Sequence, residues 1–425
     1  MTGAGKRGQF LEDFGSIQNY AKRCIHCGFC NSVCPTSNVV TAFKESRTSK
    51  GRVILLQSLV EGVGDVDPYA PEFKHLIDLC YSCRRCIPVC PAGIPIPDLM
   101  SHARYAFLER KGPTVLTLGH RIFANYGTFD RLGSVVAPLS NWMLRRRVVR
   151  ELMEWATHID SRAHLPLFHT ESFESWFKKQ PAIPRLKKIV YYIDSYANFN
   201  DPSIGKMVFA LLNHLGYQVL FPPQKESGMP AIEYGLLDKA RILARYNVSH
   251  LAPYAKEGIR IVCSSPAASY LLREGYTKFL EDDELPVVSK AVVDMAELLV
   301  EEYEQGRIQF ESERPEHVKY HYCCLSKSLS LAPMTTKLLR AAKITYEQVE
   351  DCCGGAGVWS TFKENYEMGS EIAAKLRSKV KPSSKILTES ETCRLQIEAQ
   401  VSAEVRFPLE LLAQRIVGLE QNWND

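Results

Sequence analysis

What the chain lacks narrows its class first. No apolar run is long enough for a membrane-spanning helix. The opening residues, MTGAGKRGQFLEDFG, are polar and hold no apolar stretch of the secretory kind, so the expected location is cytoplasmic. Neither sign of charge dominates: a formal net charge of +4 over 425 residues gives no basis for nucleic-acid binding. No G-x-G-x-x-G opens a helix after a strand, so neither a flavin nor a nicotinamide domain is expected, and no hydride site with it. What remains is a globular chain of two or three domains, 45% hydrophobic and 24% charged.

Cysteine is what the chain has in plenty, and its distribution is informative. Of 14 cysteines, eight lie between Cys24 and Cys90 and five between Cys323 and Cys393, with Cys263 alone between them. A disulfide scaffold is ordinarily a short secreted chain; clustered C-x-x-C spacing in a long chain without a leader points to metal in a reducing compartment. Residues 24–35 read CIHCGFCNSVCP and residues 80–91 read CYSCRRCIPVCP. Both fit C-x2-C-x2-C-x3-C-P, the bacterial ferredoxin run, in which three closely spaced thiolates hold one cubane [4Fe-4S] cluster and the fourth, before proline, ligates the other. Cys24, Cys27, Cys30 and Cys90 are therefore assigned to one cluster, and Cys80, Cys83, Cys86 and Cys34 to the second. Two complete copies, each with its proline, set aside zinc ribbons and disulfides.

The 45 residues between the runs contain SKGRVILLQSLVEG and PEFKHLIDL, both with helical apolar spacing, so a helical ferredoxin domain is expected over residues 1–110. The stretch IPIPDLMSHARYAFLERKG reads as a proline-started helix. Residues 111–184 form a helical connector. Within it, LSNWMLRRRVVRELMEWA reads as one amphipathic helix, with Leu139, Trp142, Met143, Val149, Leu152, Met153 and Ala156 on one face and Arg145, Arg146, Arg147 and Arg150 on the other. Such a helix either packs on its own domain or a partner, the commoner fate, or lies on an anionic membrane surface.

Beyond residue 185 one layout occurs twice, in 185–300 and 301–425, and its alternation of strand and helix predicts parallel sheets. The first copy runs from a strand ending at Ser195, through one leading to Glu226 and Ser227, to one ending near Ser265. The second runs from HVKYHYCC through ITYEQVEDCC to KILTESETC. Ligands of such sheets bind beyond the carboxyl ends of the strands, which brings Cys324, Cys352, Cys353 and Cys393 together. Alternation along the strand sends Cys323 to the opposite face from Cys324, and Cys263 reads as a buried structural residue. Gly354, Gly355 and Gly357 let the backbone approach a bulky group. The first copy has Ser195, Glu226, Ser227, Ser265 and Ala268 at the equivalent places. It lacks soft thiolates and is expected to be metal-free.

Together the two ferredoxin runs, TSKGRVILLQSLVEG, CCGGAG with ENYEMGSEIA, and TESETCRLQIE with FPLELLA resemble a known family over nearly the whole chain. It comprises the cysteine-rich (CCG-repeat) iron–sulfur subunits of anaerobic glycerol-3-phosphate dehydrogenase, of glycolate and lactate oxidation, and of heterodisulfide reductase. The resemblance implies an α+β multidomain fold: a helical ferredoxin domain with two [4Fe-4S] clusters, then two α/β repeats, the first without its cysteines. It implies Cys324, Cys352, Cys353 and Cys393 as ligands of a third, non-cubane cluster. It further implies an electron-transfer subunit without a dehydrogenase site of its own, fed by a flavoprotein dehydrogenase subunit and delivering to a quinone, with peripheral contact on the inner face of the membrane. Ser390 stands where a C-x-x-C partner of Cys393 would be, and the first repeat has no thiols at the ligand positions. Both departures count against the alternative of a thiol/disulfide reductase; a non-catalytic iron–sulfur scaffold is the third reading.

Overall fold

The computed structural model describes residues 3–39, 45–181, 184–185, 187–311, 316–355, 357–401, 403–421 and 423. Its strands fall into two sets of four. β1 (Lys187–Tyr192), β2 (Tyr217–Leu220), β3 (Arg260–Cys263) and β4 (Val292–Asp294) make one sheet in the order β2-β1-β3-β4. β5 (Glu316–His321), β6 (Ile344–Val349), β7 (Lys385–Leu387) and β8 (Glu404–Arg406) repeat that order as β6-β5-β7-β8. All pairings are parallel. The two orders superimpose term for term, so the repeat read in the sequence is a repeat of topology. The inner strand β1 is covered on both faces, as parallel sheets require, and its last four residues are all buried, whereas the edge strand β6 (ITYEQV) buries only its two ends.

Three details differ from the sequence expectation. Each sheet has a fourth strand, VVD or EVR, too short to show alternation. The strands also stop before the chemistry. β1 ends at Tyr192, three residues short of Ser195, and β3 ends at Cys263. Cys393 lies in the first turn of the helix Glu391–Gln400, so the third stretch of the second repeat reaches its thiol through a helix start rather than a strand end.

One apolar core joins the two sheets. Tyr191, Val262 and Val293 of the first and Val318, Tyr320 and Leu387 of the second belong to it, with the helices Pro202–His214, Met295–Glu304 and Ala332–Ala341 packed between. The N-terminal region is helical around a separate core in which Phe10, Phe14, Leu56, Ile77, Leu99 and Met100 are fully buried. Its helix Ser49–Glu61 begins where the Thr48 hydroxyl accepts from the Gly51 N–H at 3.1 Å and ends at Gly62 in the left-handed region (φ 74°). These are a side-chain cap and a glycine stop in their usual places.

The connector contains the helices Leu118–Phe123, Tyr126–Val135, Ala137–Leu144 and Arg147–Thr157. The single helix expected over 139–156 is thus two helices, broken where three arginines adjoin. Arg146 turns extended (φ −94°, ψ 119°) and lays its guanidinium over the Trp142 ring at 5.3 Å. Nor is Arg150 on the solvent side. It is buried and donates to the carbonyls of Asp160 (3.1 Å) and Ala163 (2.6 Å). The apolar residues Leu139, Trp142, Met143 and Leu152 are the ones that face solvent.

Phe362 fastens this connector to the second repeat. It is fully buried, stacks on His120 with centroids 4.0 Å apart, and meets Phe123 and Tyr234 edge-on. Its backbone pairs with Ile159. Truncating such an aromatic costs about 3–5 kcal/mol, so Phe362→Ala should lower the unfolding free energy by that amount, read as a lower denaturant midpoint at unchanged slope. A loss under about 1 kcal/mol would mean that the connector docks by other contacts.

Candidate iron–sulfur centres

The two ferredoxin loops have the same backbone. The residue before the second cysteine is left-handed in both, His26 (φ 57°) and Ser82 (φ 57°), and so is the residue after it, Gly28 (φ 79°) and Arg84 (φ 64°). A non-glycine there is unfavourable, and at Arg84 a buried ion pair holds it: the guanidinium donates twice to Asp98, at 3.0 and 2.8 Å, and lies 4.4 Å from the Tyr270 ring of the first repeat.

Electrostatic neighbourhoods sort the eight thiols. Burial pushes the Cys24 thiol up, and its sulfur neighbours are Cys90 and Cys27. Cys30 is likewise raised by burial and feels Cys24, Cys34 and Cys90. Cys86 is raised well above the usual thiol range by burial, with Cys83, Cys80, Cys34 and Cys30 around it. Cys24 thus has Cys90 beside it and Cys86 has Cys34, while Cys30 neighbours both Cys34 and Cys90, so the two groups of thiols adjoin. Thiol-only donor sets of four, closed by left-handed loops, fit cubane clusters.

The second loop runs into the C-terminal repeat. The Tyr81 hydroxyl lies 3.3 Å from the Cys352 sulfur, and Cys324 contacts both Cys352 and Cys83. Trp359 packs against Tyr81 (centroids 5.4 Å apart) and donates its indole N–H to the Asp78 carbonyl at 2.8 Å. In the CCGG turn the N–H groups of Gly354 and Gly355 reach the sulfurs of Cys352 and Cys353, each at 3.4 Å. Cys352 is driven well below the usual thiol range by Cys324, Cys353, the Tyr81 hydroxyl and that Gly354 N–H. Gly354 (φ 78°) can only be glycine, because a Cβ there would lie 2.0 Å from the Gly369 carbonyl oxygen. The glycine of EMGSE, Gly369, has its own reason: a Cβ there would lie 2.5 Å from the Ser360 Cβ and 3.0 Å from the Gly354 carbonyl oxygen.

Cys353 continues the chain of sulfurs to Cys393. Cys323 caps the helix Cys324–Ser328, accepting from the Ser326 N–H at 3.3 Å, and also feels Cys393. Sequence reasoning missed His321. It is buried, its burial lowers it to about 4 and keeps it neutral, and its Nε2 and Nδ1 lie 3.1 Å from the Asp351 carbonyl and 3.0 Å from the Thr388 hydroxyl. One ligand atom of each of His321, Cys353 and Cys393 lies within 4.8 Å of the others, a spacing compatible with metal. The histidine was hidden because it ends a strand without any C-x-x-H spacing.

The equivalent place in the first repeat is filled with oxygen. The helix Tyr126–Val135 from the connector closes it: the Tyr126 hydroxyl is 3.3 Å from the Ser227 hydroxyl, and Gly127 leaves room for the Glu226 carboxylate. Asp130 bonds to Ser195. Asn247 of ARYN is fully buried and ties the loop, accepting from the Lys225 N–H at 2.9 Å while donating to the Tyr192 and Tyr276 hydroxyls. Ser265 lies further off, its hydroxyl 3.4 Å from Glu391, and Cys263 is buried with no sulfur beside it.

Two thiol groups in a helical domain and a third set in a CCG turn are donor sets suited to iron–sulfur clusters. Residues 20–94 match the family described as 4Fe-4S dicluster domain, and residues 318–398 the family described as cysteine-rich domain. Over 414 residues the chain is 28% identical to a subunit of the anaerobic glycerol-3-phosphate dehydrogenase of Escherichia coli K12, covering 93% of this chain and 98% of the relative. It is 24% identical to the probable glycolate oxidase iron-sulfur subunit of Bacillus subtilis 168 (92% and 90% covered) and 24% identical to the glycolate oxidase iron-sulfur subunit of E. coli K12 (80% of each). The resemblance read from the motifs is thus to proteins similar along nearly the whole chain.

Burial raises Asp130 to about 7, against a neighbourhood that includes Glu226 and Asp194. A carboxyl raised on folding contributes stability that is complete below its unfolded value and lost as pH rises through the folded one. Asp130→Asn should therefore match the wild type near pH 4 and become the more stable of the two as pH passes 7. Parallel melting curves at both pH values would refute the buried neutral acid.

Proposed function

We propose that the chain is an electron-carrying subunit that takes electrons from a flavoprotein dehydrogenase and passes them inward, through two cubane clusters, to the C-terminal thiol site. The observation that carries this is the seam where Tyr81 and Cys83 meet Cys352 and Cys324: thiols far apart in sequence form one continuous string. Its outer end, Cys27, is exposed between Ile25 and Phe29, which are also exposed, beside Lys22 and Arg23. An apolar, positively rimmed loop over a cluster ligand suits an electron donor with an acidic docking face. Clusters supply one-electron transfer when bound; the residues fix their spacing, exclude water and donate hydrogen bonds to sulfur.

Cys324, Cys352, Cys353 and Cys393 are the proposed ligands of the third centre. Two cubanes correspond to about eight irons per chain and a third four-iron group to about twelve. Cys353→Ser should remove the third paramagnetic signal and leave the other two. Ser227→Ala, in the oxygen-filled site, should change none. Iron lost from the Ser227 variant, or an unaltered Cys353 variant, would overturn the division between the repeats.

Delivery to a quinone at a membrane surface is the second part of the proposal. On the connector, Leu132, Val135, Leu139, Trp142, Val148, Leu152 and Trp155 are exposed together, Val135 to 77% and Trp155 to 82%. Arg145, Arg146 and Arg147 stand at the turn between the helices, all three exposed. Two tryptophans, an apolar face and adjacent cations favour an anionic lipid interface, approached from the side because no described helix is long and apolar enough to cross a membrane. The full chain should co-float with vesicles containing phosphatidylglycerol, less so in high salt, and Val135→Glu with Trp155→Glu should abolish binding. Unchanged flotation of the double variant, or equal binding to neutral vesicles, would count against this face.

A further inference from the structure

The motif TSKGR lies outside every cysteine run, yet two constraints of the fold converge on it. Thr48 caps the helix, and Gly51 sits so close to the preceding turn that a Cβ would lie 1.9 Å from the Glu45 carbonyl oxygen. The result is that the next residue, Arg52, points into the protein and is 1% exposed. Its guanidinium donates to the Cys34 sulfur at 3.3 Å, to the Thr36 hydroxyl at 3.3 Å and to the Arg47 carbonyl at 3.1 Å, while Nε finds no partner.

Of the four other buried arginines, Arg150 lies on backbone carbonyls with the Asp160 carboxylate acting on it, and three keep a carboxylate in direct contact. Arg84 has Asp98, Arg104 has Asp78 and Arg415 has Glu316. Arg52 has none within ion-pair distance among the described residues; the anionic groups acting on it are the sulfurs of Cys34, Cys80 and Cys86. An unpaired buried charge is strongly unfavourable, so a guanidinium held here needs its counter-charge at those sulfurs.

We infer that Arg52 is the fixed counter-charge of the cluster held by Cys34, Cys80, Cys83 and Cys86, and that it raises this cluster's reduction potential above that of its neighbour. The inference rests on the electron-carrier reading. A cluster gains one negative charge on reduction, and a desolvated cation beside it favours the reduced form. The first group has the exposed Lys22 and Arg23, in solvent, and Lys50. Lys50 is partly exposed and paired with Glu45 at 2.5 Å, so its field is screened. Arg84 and Arg104 also face the second group but are neutralised by their carboxylates, and Arg85 acts first on Cys324 and Cys352. The step favoured is one electron leaving the first cluster and entering the second, with no bond or proton changed. Electrons from the exposed loop are thereby drawn inward.

The test is a redox titration, followed by paramagnetic resonance, of the anaerobically reconstituted full chain and of Arg52→Gln and Arg52→Lys, with Cys24→Ser and Cys80→Ser assigning the signals. In Arg52→Gln the reduction equilibrium of the Cys80 signal should fall at least tenfold, about 59 mV for one electron, with the Cys24 signal unmoved. Arg52→Lys should recover most of the loss. If the Gln variant sheds iron from the second cluster while the Lys variant keeps it, the charge role stands; loss in both makes Arg52 a packing residue and overturns it. Unmoved potentials at full iron content, equal shifts of both signals, or Lys behaving as Gln also overturn it. A wild type without two separable cubane signals would sink the electron-carrier reading itself, and this inference with it.

Discussion

The seating of the second cysteine loop against the CCGG turn is the contact on which the rest of the structure depends. Tyr81 must reach Cys352 and Cys83 must reach Cys324, and nothing near in sequence can arrange either. The loop is therefore anchored on three sides by buried polar contacts. Trp359 bonds to the Asp78 carbonyl from the second repeat, Arg84 lies on Tyr270 of the first, and Arg104 donates to the Glu233 carbonyl of the first at 2.9 Å. Each of the two arginines is also paired with a carboxylate, so their burial adds no unpaired charge. Gly235 completes the fit: a Cβ there would lie 2.5 Å from the Arg104 side chain.

Charge is distributed unevenly around this seam. Cations gather beside the thiols of the second ferredoxin loop. Between the two sheets the interior is acidic instead, with Asp194, Asp294, Glu389 and Glu391 around one small cavity. Burial raises Asp294 to about 6 and Glu389 and Glu391 to about 8, so the two glutamates are held neutral near pH 7. Neutral carboxyls can sit close to thiolates without opposing further negative charge there, whereas ionised ones would depress the reduction of any group at Cys393.

Local spacing carried most of what the sequence disclosed. The two C-x2-C-x2-C-x3-C-P runs, the strand–helix alternation and the CC pair are short-range patterns, and each named its chemistry without reference to the rest of the chain. What remained hidden depends on tertiary contact. His321 carries no motif. The short strands VVD and EVR are defined only by their neighbours. The break at Arg145–Arg146 cannot be read from periodicity, since the apolar positions on both sides keep helical spacing. The plug of the first site by Tyr126 and Asp130 comes from a segment that reads only as a connector. Arg150 misled for a related reason: amphipathic patterns assign long cations to solvent, but its guanidinium is satisfied by the carbonyls of 160–163.

The repeat without ligand thiols then has a physical account that does not need a metal. It keeps the strand order of its partner and contributes half of the shared core. Its oxygen-lined crevice is closed by the same helix, Tyr126–Val135, whose other side presents Leu132 and Val135 to solvent. Its helix Pro266–Tyr270 supplies the ring under Arg84, and its loop at Glu233 supplies the carbonyl for Arg104. Loss of thiols from this repeat leaves every one of those contacts to the ferredoxin loop intact, because none passes through the positions of Ser195, Ser227 or Ser265. Loss of the repeat itself would unseat the Cys80–Cys90 loop and, with it, the contact from Tyr81 to Cys352. The first repeat is therefore the mount on which the sulfur string of the second is aligned.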